Sequence, residues 1–307
     1  EFFSVNYNEA LEAFKLVSKT ARYSRVVPSY ICQIYFAQKN YDEVIDYGEP
    51  LLKDNTIREQ NQIAQLVGQA YFEKGNYSKA LPLMERYVSR SRKVTKEVLY
   101  QLGYTQYKEE KYGHAIKNFE QLNTLDSKLG QNALYNMADC HLKTGDKSSA
   151  RAAFERAKKM KYDKQIQEDA LVNYAKLSYE LGFDKDAINA LQDIPNGSAY
   201  YGEAQNLMSK IFLNTRDYDK ALDILRKMPA NKKTNKIKET HQKVAYFRAI
   251  QLYKDKEYKK AIPLFKESLD VGGAHTETEA LAHFWQAEAF FQLEQYSKST
   301  DEYNKSI

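Results

Sequence analysis

The 307-residue chain contains few of the residues that interrupt helices, with 12 glycines and 6 prolines. This scarcity argues against a β-sandwich or a disordered chain, and it favours long helices joined by short turns. Only two cysteines are present, Cys32 and Cys140, and they leave the redox compartment open. No apolar run is long enough to cross a bilayer.

Neither sign of charge is in large excess, because 46 Lys and Arg residues are balanced by 41 Asp and Glu residues, which leaves a net charge of +5. This balance argues against a nucleic-acid-binding surface. The first residues, 1–3, carry no initiator Met and no basic or signal-like segment. We therefore expect the sequence to be a piece of a longer protein.

A small residue recurs along the whole chain at nearly even steps. The steps are 34, 36, 35, 35, 37, 34, 40 and 38 residues, through Ala10, Val44, Ala80, Ala115, Ala150, Ala187, Ala221, Ala261 and Ser299. A fixed period of this length indicates supersecondary units that bury their apolar faces only by stacking on neighbours. Contacts in such a stack join nearest neighbours, so we expect Cys32 and Cys140 to be separate buried residues.

The unit around Ala80 reads as a helical hairpin. Apolar residues recur at helical spacing on both sides of Gly75 and Asn76. Gly75 would end the first helix, and Asn76 would cap the second. Asn40, Asp146 and Asp217 hold the equivalent capping position in other units. Several units also place an aromatic residue four positions after the small one, as in Ala10–Phe14, Ala115–Phe119, Ala150–Phe154 and Ala261–Phe265.

The spacing Gly68-x2-Tyr71, the later Tyr77-x2-Ala80 and the period resemble tetratricopeptide repeats. A tyrosine opens the second helix in further units, at Tyr112, Tyr218, Tyr258 and Tyr296. The leading Trp of the family is absent, and its closing Pro is largely missing. The resemblance covers the whole chain and implies an all-α fold.

The register gives an orphan second helix from Tyr7 to Val17, followed by eight helical hairpins. The resemblance implies one solenoid domain over residues 1–307, a right-handed superhelix of roughly one turn with first helices on its concave side. The long steps place insertions at 158–165 and 230–239.

Signatures of catalysis and of metal or cofactor binding are absent from the sequence. It has no Gly-rich phosphate loop, no Gly-x-Ser-x-Gly and no His-Glu-x-x-His. The nearest approach to a metal-binding set is His275, Glu277 and His283, whose spacing fits no standard ligand pattern. We therefore expect no enzyme activity, no cofactor and no metal.

Inward-facing positions of the first helices predict a binding strip instead. The strip is uncharged, with amides beside aromatics, and consists of Gln33, Gln62, Gln65, Gln69, Tyr100, Tyr104, Asn132, Tyr135, Asn136 and Asn173. Amides pair with the N–H and C=O groups of an extended peptide, while aromatics supply apolar contact. Asn136 and Asn173 match two rungs of the asparagine ladder of some tetratricopeptide proteins. The alternative is that the Gln and Asn side chains merely keep a helix face hydrated and bind no partner.

Cationic residues lie elsewhere. In another subgroup of the family, lysines and asparagines at the corresponding inner positions clamp the terminal carboxylate of a peptide. Cationic residues are absent from these positions here, so such a clamp is disfavoured: Ser29, Gln33, Gln65 and Gln69. Later units carry inner lysines beside acidic residues, which predicts a polar groove without strong preference for an anionic ligand: Lys176, Lys210 and Lys243. Basic clusters at hairpin junctions, among them Lys232 and Lys236, fit either solvated turns or an edge for an acidic partner.

These observations predict a non-enzymatic scaffold that binds a protein or an extended peptide. Its tyrosine- and lysine-rich composition resembles that of large bacterial cell-envelope tetratricopeptide proteins, which favours a location in the periplasm. A sensor or recruiting domain of a larger signalling protein is the alternative. The half-repeats at the two boundaries lack polar caps, so we expect end-to-end association through Phe2, Phe3 and Phe14.

Overall fold

A computed structural model describes residues 6–272 and 276–307 of the chain. These residues form α-helices joined by turns, with one short 3₁₀ segment and no strand, so the all-α prediction is confirmed. None of the helices in this part of the chain is long and apolar enough to span a membrane. The chain divides into two compact units, residues 1–167 and 168–307, each of which is described by itself.

Unit 1 begins with a single helix and continues with consecutive helix pairs. Its helices are α1 (Tyr7–Val17), α2 (Val27–Ala37), α3 (Tyr41–Leu51), α4 (Gln60–Glu73), α5 (Tyr77–Arg90), α6 (Lys96–Lys108), α7 (Tyr112–Glu120), α8 (Lys128–Lys143) and α9 (Lys147–Ala157). Helix α10 (Lys164–Glu180) starts at the end of this unit. The pairs α2/α3, α4/α5, α6/α7 and α8/α9 pack as hairpins.

Unit 2 repeats the pattern with longer helices near its end. After α10 come α11 (Asp184–Gln192), α12 (Tyr201–Asn214), α13 (Tyr218–Lys227), the 3₁₀ segment Ala230–Lys232, α14 (Asn235–Lys254), α15 (Tyr258–Asp270), α16 (Thr276–Gln292) and α17 (Tyr296–Ser306). The pairs α12/α13, α14/α15 and α16/α17 pack as hairpins.

One turn recurs at the tip of every hairpin. The residue two positions before the second helix has a left-handed backbone, and the N–H of the residue after it donates to the carbonyl five residues back, as Asn76 does to Tyr71 at 2.9 Å. This pattern is the helix-ending Schellman motif. Glycine holds the left-handed position at Gly75, Gly145 and Gly182, and non-glycine residues hold it at Lys39, Glu110, Arg216, Lys256 and Glu294.

Most predicted caps form, and one does not. The side chains of Asn76, Asp146 and Asp217 each accept a hydrogen bond from the backbone N–H three residues later. Asn40 makes no such bond, and its side-chain amide instead donates to Gln38 at 3.4 Å. The prediction of a side-chain cap at Asn40 is therefore wrong, although the helix starts where expected.

The core consists of the small and aromatic residues that the spacing selects. Ala115, Phe119, Ala150 and Phe154 are almost completely buried in unit 1, as are Ala261 and Phe265 in unit 2. The small residue lets two helices approach closely, and the ring fills the space beside it. Cys32 and Cys140 are buried free thiols, and burial raises the pKa of each to about 12.

First helices of successive hairpins also contact each other directly. In unit 1 these contacts join α2 to α4, α4 to α6 and α6 to α8, and in unit 2 they join α12 to α14 and α14 to α16. Each unit therefore presents a continuous row of first helices. We call the row formed by α2, α4, α6 and α8 the first-helix face of unit 1.

Candidate functional site

The first-helix face of unit 1 carries nine of the ten residues predicted to bind a partner. Most of them are half-buried, whereas Gln69 is buried. Helices α2 and α4 supply Gln33, Gln62, Gln65 and Gln69, and α6 and α8 supply Tyr100, Tyr104, Asn132, Tyr135 and Asn136. A half-buried side chain is held by its neighbours and still presents one edge to solvent, which suits a recognition surface.

Aromatic rings form a connected row across this face. The centroid of the Tyr104 ring lies 5.9 Å from Phe72, 5.9 Å from Tyr77 and 6.1 Å from Tyr100. The Lys108 ammonium lies 5.3 Å from the Tyr104 centroid. These separations are typical of favourable aromatic and cation–π contacts. The row therefore joins α4, α5 and α6 and holds the Tyr104 ring in place.

Some of the predicted amides are used by the protein itself. Gln69 Nε2 donates to Gln101 Oε1 at 2.6 Å, and Asn136 Nδ2 donates to the Tyr100 hydroxyl at 3.1 Å and to the Asn132 carbonyl at 2.9 Å. Burial, followed by the charge of Tyr104, raises the pKa of Tyr100 to about 12. Gln69 and Asn136 thus connect neighbouring first helices and shape the face.

Other amides have unused hydrogen-bonding capacity. The side chains of Gln33, Gln62 and Gln65 make no hydrogen bond within the described residues. Asn132 Oδ1 is buried and has no hydrogen-bond partner there. A buried acceptor without a partner costs free energy, so these groups favour an incoming donor.

The tenth predicted residue, Asn173, lies in unit 2 on α10. Its amide donates to the carbonyl of Asp169 one turn earlier, at 2.9 Å. Asn136 bonds in the same way to Asn132, so the two asparagines share a local geometry. A peptide-binding ladder built on both remains a prediction.

Titratable groups outside this face pair with each other. Glu267 accepts from Arg226 Nε at 2.9 Å and lies 2.8 Å from His241 Nε2, while His283 Nδ1 lies 2.6 Å from Glu302. The described residues contain no group of three side chains able to hold a metal ion. His275, from the metal-binding set considered above, lies outside the described residues, as do Phe2 and Phe3.

Sequence reasoning missed Gln101 and the bond made by Tyr107. Gln101 accepts from Gln69 and donates to Glu73 at 3.4 Å, so it bridges α6 to α4. The Tyr107 hydroxyl donates to Asp139 at 2.6 Å, which together with burial raises the tyrosine pKa. A signal for Gln101 existed in the sequence, because it lies 32 residues after Gln69, close to one repeat.

Paired antiparallel helices, a recurring Schellman turn and a row of first helices define a helical-hairpin repeat protein. A family model described as the tetratricopeptide repeat protein 21 ARM repeat matches residues 56–222. This match covers more than half of the sequence, and the chain belongs to this tetratricopeptide repeat family. No curated protein matches the sequence.

Solved structures of low sequence identity are similar to this chain. The structure of Naa15/Naa10 bound to HypK-THB gives a TM-score of 0.56 at 16% identity, covering 90% of this chain and 42% of that chain. YrrB, described as a tetratricopeptide protein with an unusual peptide-binding site, gives 0.49 at 14% identity, covering 67% and 99%. A tetratricopeptide repeat protein from Parabacteroides merdae gives 0.43 at 12% identity, covering 90% and 97%.

Proposed function

We propose that this protein is a non-catalytic interaction scaffold whose first-helix face of unit 1 binds an extended segment of a partner protein. The observation that carries the proposal is the combination of free amides and held aromatic rings on one face. Gln62 and Gln65 have no hydrogen-bond partner among the described residues, and the Tyr104 ring contacts four other aromatic rings.

An extended peptide matches this chemistry. Its unpaired N–H and C=O groups require acceptors and donors, and an amide side chain supplies both. Its apolar side chains would contact the exposed edges of the Tyr100 and Tyr104 rings. The predicted residues are all uncharged, so the face favours backbone pairing over recognition of a charged group.

The fold of the Naa15 structure supports a role in binding other proteins, and it identifies no partner for this chain. The Naa15 structure, which shares the fold, contains further protein components, Naa10 and HypK. A surface of stacked helical hairpins suits such a role, because each added hairpin extends the surface and contacts only its nearest neighbours.

The test is selection from a peptide display library on the full chain, followed by fluorescence anisotropy with the enriched peptides. We expect Gln65→Glu to weaken binding about tenfold or more, because a carboxylate next to a peptide carbonyl removes a donor and adds repulsion. Gln121→Glu, at the exposed residue that directly follows α7, is the matched control, and we expect it to bind within twofold of wild type.

Two outcomes would contradict the proposal. One is a library from which no peptide is enriched, and the other is a set of peptides that bind Gln65→Glu and Gln121→Glu equally well. Circular dichroism of both variants would establish that the helices are intact.

A further inference from the structure

A cavity of about 500 Å³ lies in unit 2, away from the face proposed above. It is lined by α10, α12, the 3₁₀ segment and the start of α14. The insertion predicted from the 40-residue step forms one wall, and it approaches α12 at Gly202. A Cβ atom at residue 202 would lie 3.3 Å from the Lys232 carbonyl oxygen, closer than ordinary contact. The cavity is thus a product of the insertion.

Positive charge dominates the lining. Lys176, Lys210, Lys232 and Lys236 line the cavity with a single acidic residue, Glu203. Glu203 pairs with Lys176 at 3.0 Å, whereas the ammonium groups of the other three lysines have no acidic partner among the described residues. Burial lowers the pKa of Lys210, and the charges of Lys236 and Lys243 lower it further while Glu239 opposes them.

Two polar features of the wall lack partners of their own. Asn206 lines the cavity at 7% exposure, and its buried Oδ1 accepts no hydrogen bond within the described residues. Helix α14 begins at the same wall, and its N-cap residue, Thr234, makes no side-chain capping bond. A helix N-terminus favours an anion, and a lone buried acceptor favours a hydroxyl or amino donor.

We propose that this cavity binds a small phosphate monoester that carries a hydroxyl or amino group near its phosphate. Several lysines around one volume suit a phosphoryl group, which carries more than one negative charge near neutral pH and offers three acceptor oxygens. Lys210, Lys232 and Lys236 hold the phosphate, and Asn206 accepts from the ligand's donor. This site is independent of the peptide-binding function proposed for unit 1.

The test compares two esters with the same three-carbon chain on the full protein, glycerol 3-phosphate, which carries hydroxyl groups, and n-propyl phosphate, which carries none, in titrations followed by NMR of backbone amides. We expect the hydroxylated ester to bind about tenfold more tightly, and Asn206→Leu to remove that preference. Lys210→Gln with Lys236→Gln should weaken both esters about tenfold, and Lys259→Gln, an exposed lysine on α15, should change neither.

Three results would overturn the proposal: equal affinity of the two esters for wild type, unchanged binding by the Lys210 and Lys236 variant, or tighter binding of a glutamate-rich peptide than of either ester. The last result would assign the cavity to an acidic protein segment. Because these variants leave unit 1 untouched, peptide binding by Gln65→Glu and wild type remains a separate measurement. Circular dichroism melts of each variant exclude unfolding as the cause of lost binding.

Discussion

The half-buried Glu267 side chain joins three helices of unit 2. It accepts hydrogen bonds from Arg226 of α13 and His241 of α14, while it lies on α15 itself. Burial raises the pKa of Glu267, but the bonds from Arg226 and His241 outweigh burial and lower it from 4.5 to about 2. The ionised form is therefore the one that stabilises the folded state.

Replacing this carboxylate should therefore cost stability in a pH-dependent way. We expect Glu267→Gln to lower the free energy of unfolding near pH 7 by about 2 kcal/mol, an estimate reduced because Arg226 is half exposed. Because the pKa of Glu267 is lower in the folded state, its ionised carboxylate stabilises the fold at pH values above the ordinary value of 4.5. This stabilisation is lost as the pH falls, so the difference in stability between Glu267→Gln and wild type should shrink between pH 4.5 and about 2. Urea denaturation of the variant and of wild type at several pH values measures this difference in the free energy of unfolding.

The matched control is Glu279→Gln, an exposed glutamate on α16. It should leave the free energy of unfolding within about 0.5 kcal/mol of wild type at every pH. A Glu267→Gln deficit that stayed constant down to the lowest pH would contradict an electrostatic role and leave only packing as the explanation.

At the scale of the element, the recurring hairpin turn combines a fixed backbone with variable residues. Gly75 and Glu110 hold the same left-handed position, at φ of 73° and 58°. Nothing lies within 4 Å of a Cβ at residue 75, so only the backbone conformation distinguishes the two residues there. Side chains other than glycine are strained in this conformation.

Opposite substitutions at these two turns should therefore have opposite effects. We expect Gly75→Ala to lower the free energy of unfolding by about 1 kcal/mol, and Glu110→Gly to raise it by up to about 1 kcal/mol. Thermal or urea denaturation measures both. Glu120→Gly in the last turn of α7 is the control, and it should destabilise because its backbone is helical. A destabilised Glu110→Gly variant would show that the glutamate side chain stabilises the turn.

At the scale of the whole molecule, the predicted end-to-end association depends on which apolar residues α1 leaves exposed. Phe14 is half-buried and stacks on Tyr30 of α2 at 5.6 Å, so the N-terminal helix is better covered than the sequence predicts. Leu16 is 70% exposed on the same helix. Contact of this leucine with another apolar surface would remove apolar area from water, which is favourable.

We therefore expect any self-association of this chain to weaken in Leu16→Glu, because a charged residue at the contact opposes its desolvation. Light scattering over a range of protein concentrations measures the mass. Leu181→Glu, at an exposed leucine after α10, is the control and should associate like wild type. An unchanged mass for Leu16→Glu would refute association through α1.

Local information in the sequence determined the repeat period, the helix pairs and the alanine–aromatic core, because helix spacing and turn chemistry act over a few residues. The tertiary structure alone decided which amides remain available. The Gln69 amide donates to Gln101, 32 residues away, whereas the Gln65 side chain, one turn from Gln69, has no hydrogen-bond partner in the part of the chain that the structure describes.

The cavity of unit 2 shows the same division between local and distant contacts. The sequence located an insertion at 230–239 and the inner lysines, and the mixed charges around those lysines predicted no strong preference for an anion. The structure pairs Glu203 with Lys176, brings the Lys232 backbone against Gly202, and leaves Lys210 and Lys236 without acidic partners in the described residues. These relations join residues about 27 or more positions apart, which the helical period does not encode.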